Sequence, residues 1–125
     1  MTAEAFARRE TARRWQRLSF EIARGATNRD EETVHDVRVA IRRLSQALRI
    51  FAPLLGEKQS RKLRKSLRPL LDAAAEVRDV DIALKLLREA GLPPQHAIWD
   101  ELRAERSSAE ERFRQCLADA VVGDK

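Results

Sequence analysis

The chain has 125 residues, of which 43% are apolar and 36% charged, and it carries a formal net charge of +5. Its single cysteine, Cys116, excludes an internal disulfide, and no apolar run is long enough to span a membrane. A chain of this length can bury about two-thirds of its unfolded surface. We therefore expect one soluble, cytoplasmic domain over residues 1–125.

The positive charge is concentrated in one third of the chain. Residues 35–71 contain ten Lys and Arg against two Asp and Glu, whereas residues 72–125 contain eight against twelve. Such a surplus indicates a localised anionic partner. Arginines outnumber lysines twenty to five. Their planar guanidinium suits bidentate phosphate contacts, although a GC-rich genome would produce the same bias.

Composition and apolar periodicity predict an all-α fold, an antiparallel bundle of four to five helices with short connections. The first helix is expected over about residues 3–24, with Gly25 as its C-terminal stop. In the loop that follows, Asn28 or Asp30 can cap a second helix, which should end near Phe51.

Three further helical segments are predicted in the second half of the chain. One begins near Glu57, and Pro69 lies inside its pattern, which predicts a kink or break there. The next segment continues to Ala90 and ends at Gly91. The last helix is expected over about residues 94–121.

The second helix has two distinct faces when its residues are placed at about 100° intervals. One face is an apolar core stripe: Val37, Ile41, Leu44, Leu48, Phe51 and Leu55. The nearly opposite face carries four basic residues: His35, Arg38, Arg42 and Arg49. At about 1.5 Å per residue, these four side chains extend along about 20 Å of helix.

Four cations on one helix face repel one another unless carboxylates or a polyanion neutralise them. Asp36 is the single acid in residues 34–51, and the next segment adds six more cations. This pattern favours a polyanion site over a plain solvated surface. Its length suits an extended phosphate chain, bound electrostatically and weakened by salt. A nucleic acid remains the alternative partner, although the basic third offers almost no aromatic residue for base stacking.

Catalytic chemistry has little support in the sequence. The four glycines are isolated, so no glycine-rich phosphate loop is present. Cys116 lies on an apolar helical stripe, where a core thiol is the favoured interpretation. We therefore predict no catalytic residue, no metal ligand and no cofactor.

Two motifs resemble those of the CHAD family, the conserved histidine α-helical domain. Residues 34–44, VHDVRVAIRRL, followed by ALRIF at residues 47–51, resemble the family's first motif. Leu67-Arg68, followed by VRDVD at residues 77–81, resembles the second motif at a matching separation. The resemblance covers about residues 15–87.

The resemblance implies an all-helical domain that binds inorganic polyphosphate without catalysis. Seven residues match the family's basic positions: His35, Arg38, Arg42, Arg43, Arg49, Arg68 and Arg78. We add Arg61 and Lys65, from the cationic side of the third segment, to the predicted polyphosphate-binding set. Asp79 and Asp81 match the family's acidic pair and are assigned a positioning role.

Two positions and the chain length depart from the family pattern. Ser45 stands where a further basic residue is common, and Ala75 stands where a glycine is common, so the helices around Ala75 can be continuous. Family members usually contain two helical bundles whose basic faces meet around a central groove. This chain contains one, so we expect a homodimer with two-fold symmetry that places both basic faces around a shared groove.

Overall fold

Five helices account for almost all of the chain in a computed structural model that describes the backbone of residues 1–123 and the side chains of residues 1–120. The part of the chain so described contains no strand, which confirms the all-α prediction. The helices are α1 (Ala3–Thr27), α2 (Glu31–Ile50), α3 (Ala52–Leu55), α4 (Glu57–Glu89) and α5 (Ile98–Gly123).

The four long helices form an antiparallel bundle. α1 packs on α2, α2 on α4 and α4 on α5, and a smaller contact between α5 and α1 completes the ring. Residues from all four helices meet in one core, where the α2 side chains Val37, Ile41, Leu44 and Leu48 are at most 2% exposed. The apolar stripe predicted for α2 is therefore confirmed at these positions, whereas Phe51 is only half-buried.

The N-terminus of α2 is capped by Asp30, as predicted. The Asp30 carboxylate accepts a hydrogen bond of 2.8 Å from the amide of Thr33. This bond lowers the pKa of the Asp30 carboxyl below its ordinary value. Its stabilising contribution is therefore present at neutral pH and is lost as the pH falls through the lowered pKa.

Gly25 does not end α1, which continues to Thr27. The prediction of a C-terminal stop at Gly25 was wrong because this glycine serves a helix–helix contact instead. A Cβ atom at Gly25 would lie 2.9 Å from Cδ1 of Leu117 in α5. The missing side chain lets the two helices approach closely.

Pro69 does not break α4, which runs through it for 33 residues. The predicted break is absent because the helix is held on both sides of the proline by Leu67 and Leu70, which are buried in the core. Packing of this kind outweighs the loss of one backbone hydrogen bond. The continuity expected at Ala75 is confirmed.

The start of α5 and the short helix α3 also differ from the prediction. α5 begins at Ile98 rather than near residue 94, because the indole of Trp99 donates a hydrogen bond of 2.9 Å to the Pro93 carbonyl and the preceding turn is stabilised. α3 has Pro53 in its first turn, a position that tolerates the missing amide.

A nearly buried ion-pair network joins α4 to α5. Asp81 is 8% exposed and lies 3.0 Å from Arg106, which also contacts Glu110 at 2.9 Å. A third hydrogen bond of 2.7 Å runs from Arg106 to the backbone carbonyl of Arg29 in the α1–α2 connection. Asp81 therefore acts on an α5 cation and stabilises the bundle.

Replacing Arg106 with methionine should lower the free energy of unfolding by about 3 kcal/mol, because the carboxylate of Asp81 would remain buried without its partner. Arg112→Met is the matched control: Arg112 also joins α5 to α4, through Glu76 at 2.8 Å, but this pair is exposed. The control should cost less than about 1 kcal/mol. Urea titrations that give equal losses for the two variants would contradict this ranking.

Candidate functional site

The seam between α2 and α4 is fixed at both ends by contacts between the helices. The Ser60 hydroxyl donates a hydrogen bond to the carbonyl of Leu48, and Nη1 of Arg78 lies 3.5 Å from Oε1 of Glu31. These contacts define an antiparallel register between α2 and α4. We call the following eight residues the basic ladder: His35, Arg38, Arg42, Arg49, Arg61, Lys65, Arg68 and Arg78.

The Lys and Arg side chains of residues 35–71 have no carboxylate partners in the described part of the chain. None of the ten Lys and Arg in residues 35–71 lies within 4.0 Å of an Asp or Glu side chain there. The ion pairs of the bundle involve other cations, most of them in α1 and α5. The basic charge of this face is therefore left for solvent or a ligand.

Asp36, in the second turn of α2, does not pair with a residue of the basic ladder. Its carboxylate lies 3.1 Å from Arg24 of α1, on another side of α2. Arg24 is held in turn by the fully buried carboxylate of Glu21 at 2.8 Å. The hydrogen bond to Asp36 raises the pKa of Arg24 above its ordinary value. The negative charge of Asp36 is thus committed to the α1–α2 contact.

Arg38, near one end of the basic ladder, is influenced by the charges of several neighbouring residues. Burial lowers the pKa of its guanidinium, and the charges of Arg42 and Arg78 lower it further, whereas Asp79 acts in the opposite direction. Its Nε is buried and has no hydrogen-bond partner among the described residues. A bound anion would satisfy this donor and relieve the repulsion between the three arginines.

Asp79 and Arg78 have different relations to this centre. Asp79 is exposed, and its charge partly compensates that of Arg38, which is consistent with the predicted positioning role. Arg78 forms an ion pair with Glu31, and this contact is long, at 3.5 Å, and partly exposed. An anion can compete for Arg78 because such pairs are weak in water.

The other members of the basic ladder are accessible. His35, Arg42 and Arg49 are exposed on α2. Arg61, Lys65 and Arg68 are exposed on α4. The sequence contains one Glu-x-x-His spacing, Glu32 with His35, and both side chains are exposed. Among the residues described, no group of three or more His, Cys, Asp or Glu is arranged to hold a metal ion.

Arg64 is a further candidate for this site, although neither helical spacing nor the family resemblance selected it. The register of the seam places it level with Ser45, the position where the family pattern has a further basic residue. Its side chain is half-buried, and its Nε has no hydrogen-bond partner within the described residues. Its place on the cationic side of the third segment was the available signal. An arginine of α4 thus stands opposite the position at which α2 lacks a cation.

Arg43 does not share the seam with the basic ladder. It follows Arg42 directly, and about 100° of helical rotation turns it towards α1. There it lines a separate cavity between α1 and α2. Arg43 therefore lies apart from the other eight predicted polyphosphate-binding residues, among which Arg38, Arg42 and Arg78 are close enough for their charges to interact.

Cys116 lies partly buried beside the core and is far from being an activated nucleophile. Burial raises the pKa of its thiol, and the charges of Asp119 and Glu76 act in the same direction. A raised pKa reduces the thiolate fraction at neutral pH. None of the helices in the described residues is both long and apolar enough to cross a membrane.

Comparison with known protein families matches residues 5–124 to the CHAD domain. Comparisons with curated proteins and with solved structures found no match. The CHAD family is associated with binding rather than with catalysis. Since the match covers nearly the whole chain, the chain belongs to the CHAD family, which is a family of polyphosphate-binding domains.

Proposed function

We propose that the chain binds inorganic polyphosphate, without catalysis, through the basic ladder and Arg64. The observation that supports this most strongly is the absence of carboxylate partners around all ten cations of residues 35–71 within the described structure. A protein that used these charges only for solubility would be expected to intersperse acids among them. Here Asp36 pairs with Arg24 of α1, and Glu31 makes only a long contact of 3.5 Å with Arg78.

The shape of the basic ladder favours an extended anion. On α2 it extends from His35 to Arg49, about 20 Å at 1.5 Å per residue, and on α4 from Arg61 to Arg78, about 25 Å. Guanidinium groups on both sides of the seam can contact successive phosphates in bidentate fashion. Such binding depends on charge and spacing, so its affinity should fall steeply with salt concentration.

The double variant Arg42→Glu, Arg68→Glu should weaken polyphosphate binding on the order of 100-fold, because each lost charge-assisted hydrogen bond is worth about 1.5 kcal/mol. Both side chains are exposed, so helicity should be unchanged. Calorimetric titration with polyphosphate of defined length would measure the effect.

Lys85→Glu with Arg88→Glu is the matched control for charge. It changes the net charge equally, and both residues are exposed on α4 outside the basic ladder. The control should reduce affinity only slightly. If the two double variants lost the same affinity for polyphosphate, binding would reflect only the net charge of the protein. The assignment of the basic ladder as the binding site would then be wrong.

His35 should contribute to polyphosphate binding, because it is exposed within the basic ladder. His35→Glu should weaken polyphosphate binding on the order of tenfold, since it places a negative charge among the arginines of the ladder. Calorimetric titration at fixed pH and ionic strength would measure this, and an unchanged affinity in that variant would exclude His35 from the site.

A nucleic acid is the alternative ligand of the same face. Competition between long-chain polyphosphate and RNA or DNA at fixed ionic strength separates the two. Aromatic side chains that could stack on bases are absent from the basic ladder itself. We therefore expect polyphosphate to displace the nucleic acid.

We further propose that two chains associate with two-fold symmetry and enclose one polyphosphate chain between their basic ladders. The ladders repel each other without an anion, so the contact needs apolar surface beside them. Ile82 and Leu86 offer such a surface: they are 40% and 58% exposed, four residues apart on α4 beyond Asp79.

Sedimentation with polyphosphate should give twice the monomer mass of 14.3 kDa. Leu86→Glu should shift the protein towards monomer, because it places a charge in the contact. Ile50→Glu, another exposed apolar position, serves as its control. A wild-type chain that stays monomeric with and without polyphosphate would refute the dimer.

A further inference from the structure

The cavity between α1 and α2 is a second concentration of positive charge, on the other side of α2 from the basic ladder. Its volume is about 480 Å³, within the range typical of small-ligand sites. Four arginines, one glutamine and one phenylalanine line it: Arg13, Arg14, Arg17, Arg43, Gln16 and Phe20. We call this cavity the α1–α2 groove.

The arginines of the α1–α2 groove are incompletely neutralised. Arg14 and Arg43 have no carboxylate within 4.0 Å among the described side chains. Arg13 has only a long contact of 3.7 Å to Glu10. Arg17, in contrast, is bound at 2.9 Å to the buried Glu21. The groove therefore carries excess positive charge and favours an anion.

Phe20 distinguishes this groove from the basic ladder. Its ring is 55% exposed, and the guanidinium carbon of Arg17 lies 5.5 Å from the ring centroid. An inorganic anion gains nothing from an exposed phenyl ring, whereas a planar base can stack on it. Gln16, beside it, has an amide that can both donate and accept hydrogen bonds at a base edge.

We propose that the α1–α2 groove binds a nucleoside polyphosphate, with its phosphates on Arg14 and Arg43 and its base on Phe20. One exposed aromatic ring in a cavity of this size suits a single nucleotide rather than a nucleic acid strand. This site does not depend on the basic ladder, because the α1–α2 groove and the basic ladder use different faces of α2. Arg43, which the resemblance to the CHAD family placed among the polyphosphate-binding residues, has its role here.

ATP without metal ions and inorganic tripolyphosphate are the probes, since both carry three phosphates. They are titrated into the full-length double variant Arg42→Glu, Arg68→Glu, in which the basic ladder is disabled. ATP should bind at least about tenfold more tightly than tripolyphosphate, because stacking adds to the phosphate contacts. Equal affinities for the two probes, or loss of ATP binding in this background, would overturn the proposal.

Two added changes test the assigned contacts in the same background. Phe20→Ala should reduce the affinity for ATP to that for tripolyphosphate. Arg14→Gln with Arg43→Gln should weaken both probes by at least about tenfold while circular dichroism stays unchanged. Unaltered ATP affinity in either variant would refute the site. A failure of the polyphosphate proposal would be visible separately: long-chain polyphosphate would then bind the double variant Arg42→Glu, Arg68→Glu as tightly as it binds the wild-type chain.

Discussion

Repulsion between cations on α2 and α4 is the constraint that the rest of the bundle must offset. Two adjacent helices carry the ten Lys and Arg of residues 35–71, six of them in the basic ladder, and nothing in the described structure neutralises these ten by direct ion pairing. Their outer faces would separate if the inner faces were not held together. The apolar contacts of Val37, Ile41 and Leu44 with the α4 side of the core provide this. Burial of each such side chain contributes about 1.5–3 kcal/mol, more than an exposed charge pair costs.

The acids of the chain are used where they fix the framework. Glu21 is fully buried between Arg17 and Arg24, and Arg24 passes the interaction on to Asp36. Such a buried carboxylate would be destabilising without a cation beside it. Arg24 donates a hydrogen bond to its Oε2, whereas Oε1, beside Arg17, accepts no hydrogen bond from the described residues. The network links α1 to the side of α2 that lies away from α4. The bundle thereby holds α2 in a fixed rotation relative to α1.

Local periodicity predicted much of the fold, since the apolar spacing of α2 and the cap at Asp30 depend only on near neighbours. The errors came where tertiary packing decided the outcome. Gly25 has a strong helix-ending tendency, yet the approach of Leu117 keeps it inside α1. Pro69 would break an isolated helix, but the core holds α4 on both sides of it.

The candidate site was predictable in composition and less so in geometry. Helical spacing grouped His35 with the α2 arginines, because residues on one helix keep fixed relative directions. It could not show that Asp36 pairs with Arg24, that Arg64 stands opposite Ser45, or that Arg43 faces α1. Each of these depends on the register between helices, which a single sequence does not contain.

The uninterrupted length of α4 has a consequence for anions longer than the site. At about 1.5 Å per residue its 33 residues form a rod of about 50 Å, so the backbone positions of the α4 cations keep a constant spacing. A flexible anion must adapt to the protein, and any part that extends past the last cation remains free in solution. Such free ends can engage a second bundle at high effective concentration. A long polyanion bound in this way would therefore link several copies of the protein into larger assemblies.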